Sequence, residues 1–306
     1  MCGCVAGRRR GRGGPRRSTS RRAPPLDRPH GTSGRDGGGG GRGGRLLALD
    51  LDGTLLTRDK RISPRTRRAL DAAAARGCAI VIATGRGIAV LRRFCGDLPL
   101  QAPQITYNGA VIVDPRGDEP LRQYLVPPAR VEAAVDFFLD AAVPVAFFTP
   151  DALYLDERIR DVEDWTPPPL AAPIVVSDVR AAIGRPCVKI VGTAEADTIA
   201  RLRPHAVARF GEALYVTQTA VDLLEFLHPD VSKGAALRLV AARLGVARAD
   251  VVAFGDSHND RDMLVFAGTG VAMGNAMPEV KAVADLVTGS NDEDGIGAAL
   301  ETLGII

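Results

Sequence analysis

Long hydrophobic runs are missing from this 306-residue chain: no apolar stretch reaches the roughly 18 residues of a membrane span, which argues against a membrane protein. Cysteine is scarce as well. Cys2, Cys4, Cys78, Cys95 and Cys187 form an odd set without a C-x-x-C pair, which excludes a disulfide framework and fits reduced thiols in a cytoplasmic protein. Cys2-x-Cys4 has no His or Cys nearby to complete a metal site.

Aromatic residues are absent from residues 1–44, and so are almost all large apolar ones. Residues 1–45 instead carry 12 arginines against Asp27 and Asp36, about +10, and 14 of the 34 glycines. The net charge of +3 therefore hides about −7 on the remainder, which is mildly acidic. Such an arm cannot repay the entropy of ordering and is expected to be disordered. It lacks stacking aromatics for a nucleic-acid arm, and no second nucleic-acid motif follows. It also lacks the apolar run of a secretory signal. The arm is expected to be an extension outside the folded protein, for instance from an upstream start codon.

From Arg45 onward, short Leu- or Val-rich runs alternate with Ala/Arg/Leu-rich stretches at helical spacing, the pattern of parallel α/β architecture. "RLLALD" predicts a strand, "SPRTRRALDAAAARG" a helix with Ser63 as N-cap, Pro64 at N1 and Gly77 at its end, and "CAIVIATG" the next strand. "QITYNGAVIVDPRGDEPLRQYL" predicts a hairpin of two runs. A second α+β unit of about a hundred residues follows, with strands at "PVAFFT", "ALYL", "CVKIVGT", "ALYVTQT" and "LLEFL". The first rhythm then resumes, with helix 232–245, strand "VVAFG", helix 259–267, strand "TGVAMG", helix 278–283, strand "ADLVT" and a closing helix. The simplest topology is one Rossmann-like domain split in sequence by an inserted lid.

Ligands of parallel α/β sheets collect at the carboxyl ends of strands. Four such places carry chemistry: Asp50, Asp52, Gly53 and Thr54; Thr84, Gly85 and Arg86; Ser232, Lys233 and Gly234; and Gly255, Asp256, Ser257, Asn259 and Asp260. Carboxylates, a hydroxyl, one lysine and small glycines suit a phosphate held with a divalent cation. Asp50 and Asp256 offer hard oxygen ligands for Mg²⁺, Lys233 offsets phosphate charge, and Thr84 can bond its oxygens. Each piece alone has a duller reading. Asp52-Gly53 makes a hairpin turn, Lys233 a solvated side chain, and Asp256 to Asp260 a helix cap.

The motifs "DLDGTLL", "ATGR", "VSKG" and "GDSHNDRDML", in this order, resemble those of haloacid dehalogenase-like phosphatases. The insertion between the second and third, with "TYNGA" before it, is similar to the Cof-type subfamily. The resemblance covers residues 45–306 and implies a Rossmann-like parallel-sheet α/β core with an inserted α/β (α+β) cap domain. The expected segments are arm 1–44, core 45–126, cap 127–229 and core 230–306. It further implies Mg²⁺ and a small phosphorylated metabolite as substrate. Asp50 would be nucleophile and metal ligand, Asp52 acid-base catalyst and backbone ligand, and Asp256 the further metal carboxylate. Thr84, Gly85, Lys233 and Asn259 would bind phosphate, Asp260 would support Lys233 or the metal's waters, and Asn108 with Gly109 would line the substrate entrance. His258 is expected at the surface or behind the site. Phe147, Phe148, Tyr154 and Trp165 are expected in the cap core. A specialised sugar-phosphate phosphatase, a phosphosugar mutase and an inactive phosphate-binding protein are the alternatives.

Overall fold

A computed structural model of the chain describes residues 44–117, 119–160, 165 and 172–306. The arm to residue 43, Cys2, Cys4 and the Pro-rich stretch around Trp165 lie outside the described residues.

The core sheet is parallel and draws on both ends of the chain. Its strands are β1 (Leu46–Leu49), β2 (Ala79–Ile82), β12 (Val251–Gly255), β13 (Thr269–Ala272) and β14 (Leu286–Val287), in the order β14-β13-β12-β1-β2. β1 is central, pairing Leu49 with both Phe254 and Ile82, and all four of its residues are buried. That explains its uninterrupted apolar sequence, since a strand covered on both faces has no solvent side to mark with polar residues. β1 and β12 lie side by side, and the chain winds outward from them in opposite directions. Such a switch point leaves a crevice at the carboxyl ends of the two strands.

Helix α1 (Pro64–Ala75) starts where Ser63 Oγ accepts the Thr66 N–H at 3.1 Å, and Gly77 follows it at φ +86°. Between "ATGR" and the hairpin region lies α2 (Ile88–Cys95), a helix the sequence reading does not predict. The predicted two-run hairpin is a three-stranded antiparallel sheet of β3 (Gln104–Thr106), β4 (Val111–Val113) and β5 (Pro120–Gln123). Its first turn uses Tyr107, Asn108 and Gly109 at φ +49°, +55° and +96°.

The inserted unit is a six-stranded sheet covered on one face by α3 (Pro128–Asp140) and α4 (Ala196–Phe210). Its strands are β6 (Val145–Phe148), β7 (Leu153–Asp156), β8 (Ile174–Val176), β9 (Lys189–Thr193), β10 (Tyr215–Ala220) and β11 (Leu223–Leu227), ordered β10-β11-β9-β6-β7-β8. Phe137, Phe138, Phe210 and Phe226 stack between helices and sheet. Alternation along β9 and β11 sends Ile190, Leu224 and Phe226 into that core. Lys189 and Glu225 leave by the opposite face.

The chain returns to the core through α5 (Lys233–Leu244), capped by Ser232 and ended by Gly245 in the left-handed conformation. Further helices along the returning chain are α6 (Arg261–Phe266), α7 (Pro278–Lys281) and α8 (Gly295–Thr302). No helix among the described residues is long and apolar enough to cross a membrane.

Candidate active site

The end of β1 is not a hairpin. Its strand neighbours are both parallel, and the chain after Asp50 curls back on itself, with Leu55 N–H donating to Asp50 O at 3.2 Å and Leu56 N–H to Leu51 O at 2.8 Å. Gly53 sits in this turn at φ +79°, and a Cβ there would lie 2.5 Å from Asp256 Oδ2. Glycine is required both by the dihedral and by the carboxylate from β12.

Asp50 is buried and meets Lys233, which stands at the start of α5 with 1 % of its surface exposed. Lys233 Nζ donates to Asp50 Oδ1 at 2.5 Å and to Asp260 Oδ1 at 2.6 Å. The reading of Lys233 as a solvated side chain is therefore wrong. Burial opposes charge on Lys233, but Asp260 and Asp50 outweigh it and hold the ammonium firmly protonated. Burial raises Asp50 well above the usual carboxylate range, reinforced by Asp260 and Asp256 and opposed by Lys233.

Asp256 is fixed by hydrogen bonds from Thr54 Oγ1 at 3.0 Å and Ser257 Oγ at 3.1 Å. Burial, with Asp260 next, pushes it up to about 6. Carboxylate oxygens of Asp50, Asp256 and Asp260 all lie within 4.8 Å of one another. Asp260 is already engaged at both oxygens, because its Oδ1 faces Lys233 while Oδ2 accepts the N–H groups of Asp256 and Ser257 at 3.0 Å each. The capping reading of this acidic stretch is thus correct for Asp260. Asp50 and Asp256, crowded and raised, are the two carboxylates that fit a divalent cation, whose charge would relieve their repulsion.

Asp52 points elsewhere. Lys60 Nζ lies 2.6 Å and Arg86 Nε 3.1 Å from its carboxylate. Burial alone would raise Asp52, but the Arg86 and Lys60 cations overcome it and hold the carboxyl below its ordinary range. Thr84 Oγ1 accepts the Arg86 N–H at 3.0 Å, which shapes the loop after β2.

Asp50, Asp52, Thr84, Gly85, Arg86, Ser257 and Asn259 open onto one cavity of about 850 Å³. The inserted unit supplies its far wall, with Phe148, Lys189, Thr219 and Glu225 from its sheet and Trp165 from outside it. Phe147 and Tyr154 lie in the cap core as expected, whereas Phe148 and Trp165 face the cavity. Asn108 and Gly109 are a correction. Asn108 is fully buried behind the wall, bonded to Asn259 and Glu225, and a Cβ on Gly109 would lie 2.3 Å from Ser232 O. They brace the site and do not line its entrance. His258 is half-buried, 2.5 Å from an Arg203 nitrogen on α4, and burial with Arg203 and Arg261 lowers its pKa.

A model of the haloacid dehalogenase-like hydrolase family matches residues 47–300, the span that contains every group just described. The chain belongs to that family. Among similar family members is an HMP-PP phosphatase of Cronobacter sakazakii, 34% identical over 242 residues, covering 78% of this chain and 87% of the relative. Another is the 5-amino-6-(5-phospho-D-ribitylamino)uracil phosphatase of Bacillus subtilis, 29% identical across 84% of this chain and 96% of its own. A solved haloacid dehalogenase-like hydrolase from B. subtilis superposes with a TM-score of 0.75 at 27% identity, covering 85% of this chain and 99% of its own. The subclass IIB sugar phosphatase BT4131 gives 0.74 at 26% identity over 86% and 100%.

The sequence reading missed the cavity's cap side. Lys189 and Glu225 sit inside the strands "CVKIVGT" and "LLEFL", and opposite charges in otherwise apolar strands were the available signal.

Proposed function

We propose that the chain is a Mg²⁺-dependent phosphatase that hydrolyses a small-metabolite phosphomonoester through an aspartyl-phosphate on Asp50. The observation that carries this reading is the buried Lys233, clamped between Asp260 and Asp50, the carboxylate that opens onto a cavity covered by a separate sheet. A carboxylate beside a permanent cation can approach a phosphate dianion that would otherwise repel it. Asp50 attacks phosphorus, and the leaving oxygen takes a proton from Asp52. Asp52 then accepts a proton from water, which attacks the same phosphorus, releasing phosphate and restoring the Asp50 carboxylate. Before substrate arrives, Arg86 and Lys60 hold Asp52 ionised; a phosphate dianion entering beside them competes for both cations and lets Asp52 take up from solvent the proton it then passes to the leaving oxygen.

Asp50, Asp256 and the Asp52 backbone carbonyl are the proposed Mg²⁺ ligands. Held there, a divalent ion would supply positive charge to offset that of the phosphoryl group. Thr84, Gly85 and Asn259 bind phosphoryl oxygens, while Asp260 holds Lys233. The proposed division is core 45–126 and 230–306 around cap 127–229, supported by the separation of the six-stranded sheet from the parallel one. Cytoplasmic location belongs to the same reading, supported by the free thiols of Cys78, Cys95 and Cys187. A sugar-phosphate substrate is favoured by the polar cap rim of Thr193, Glu195, Thr219 and Asp222. Hydroxyl-rich leaving groups need such partners.

The test is phosphate release from a panel of sugar, nucleoside and vitamin-precursor phosphomonoesters. Turnover is expected with Mg²⁺, lost in EDTA and restored by excess Mg²⁺. Turnover indifferent to EDTA, or none on the panel or on p-nitrophenyl phosphate, contradicts the proposal.

A further inference from the structure

A carboxylate only accepts hydrogen bonds, whereas an asparagine amide has a donor end and an acceptor end, so a chain of amides anchored on a carboxylate has a fixed polarity. Such a chain crosses from cap to core. Glu225 on β11 is 1 % exposed and accepts from Asn108 Nδ2 at 2.8 Å, Lys189 Nζ at 3.2 Å and Thr219 Oγ1 at 2.7 Å. Asn108 must therefore turn its NH₂ toward the cap and its Oδ1 toward Asn259. Asn259 answers with its own NH₂ at 2.8 Å. The Asn259 Oδ1 is left buried and without a hydrogen-bond partner among the described residues, in a side chain that borders the cavity.

Neither charged group is free to bind substrate in this arrangement. Lys189 Nζ donates to Glu225 and to Gly85 O at 3.1 Å, and it lies 4.7 Å from the Phe148 ring centroid. Glu225 already accepts three hydrogen bonds. A buried ion pair is a poor source of stability, because desolvation cancels most of its attraction. Asn108 and Tyr107 also hold left-handed backbone, which costs energy and persists only where surroundings over-determine it. Orientation explains both costs.

We propose that Lys189 and Glu225 are positioning residues that fix, through Asn108, which side of the Asn259 amide faces the phosphate cavity. The pair also reaches the loop carrying Thr84 through Gly85, so a cap seated on the core presets the phosphate-binding groups. One hydrogen of the Asn259 NH₂ goes to Asn108, which leaves the second as its donor for phosphate; without the pair both amides can flip, and the carbonyl oxygen takes the place of that NH₂. This inference rests on the function proposed above.

The test removes both charges together, Lys189→Met with Glu225→Leu, so that no buried charge is left unpaired. Inhibition of p-nitrophenyl phosphate turnover by inorganic phosphate is measured with Mg²⁺, in the wild-type and the Asn259→Ala backgrounds. Phosphate inhibition should weaken about tenfold in the first and less than about twofold in the second, since coupled groups are not additive. Equal weakening in both backgrounds, or none in either, overturns the relay. If melting shows that the double variant does not fold, the isosteric Glu225→Gln, which can donate as well as accept, is compared across the same backgrounds. Wild-type protein that hydrolyses no phosphomonoester overturns the proposed function and the relay together; normal wild-type turnover with equal losses overturns the relay alone.

Discussion

Asp50→Asn is expected to lower phosphate release by about 10⁴-fold or more while leaving the protein folded. An amide has neither the nucleophilic oxygen nor the negative charge of the carboxylate, so bond formation to phosphorus and a metal ligand are lost at once. The fold should tolerate the change, because Lys233 keeps Asp260 as its partner and the charge that burial penalises at position 50 is gone. The metal-free melting temperature should therefore match or exceed that of the wild type, and the rise produced by Mg²⁺ should shrink. Phosphate release and thermal melts on the same preparations check both. A variant with turnover within tenfold of the wild type contradicts the role given to Asp50.

Lys233→Met should act on stability as much as on turnover. Its ammonium is the partner of two buried carboxylates, and breaking such an arrangement costs about 3–5 kcal/mol, equivalent to a fall of roughly 10 °C in melting temperature for a chain of this size. The sign of the pH dependence follows. Asp50, already raised by burial, loses the field that opposed the rise, so in the variant its folded state holds a proton that the unfolded chain has released. A group with a raised folded pKa contributes stability at low pH and loses it as pH rises. The gap between wild-type and variant melts should narrow from pH 8 to pH 5. Superimposable denaturation curves at pH 8 contradict the account of this pair.

Most of this architecture is legible where local chemistry and tertiary need agree. β1 is readable because a strand buried on both faces carries no polar residue, and α1 and α5 because Ser63, Ser232 and Gly245 mark their ends. Three of the four motif positions are legible because they follow β1, β2 and β12, which the parallel core sheet sets side by side; the fourth, Lys233, is delivered by the start of α5. The missing parts depend on contacts that local sequence does not encode. α2 begins beside Gly85 and Gly87, which read as loop, and is anchored by burying Val90, Leu91 and Cys95. β8 is a three-residue edge strand, exposed at Ile174 and Val175. The turn at Tyr107 uses left-handed backbone that tyrosine rarely adopts. Lys189 and Glu225 meet only through the register of β9 with β11, which pairs Glu225 with Val191 and leaves Lys189 diagonal to it. The two aspartates after β1, alike in sequence, differ in surroundings: Asp50 meets one buried lysine, while Asp52 meets Arg86 and Lys60 nearer solvent.

That difference makes the division of labour between them directly measurable. Asp52→Asn should still let Asp50 attack an activated ester such as p-nitrophenyl phosphate, yet deprive the water of its base, so phospho-enzyme accumulates. Acid-quenched protein, digested and weighed by mass spectrometry, should carry one phosphoryl group on the peptide containing Asp50, with steady-state release reduced at least about a hundredfold. Wild-type turnover by this variant, or a phosphoryl group on any residue other than Asp50, contradicts the account.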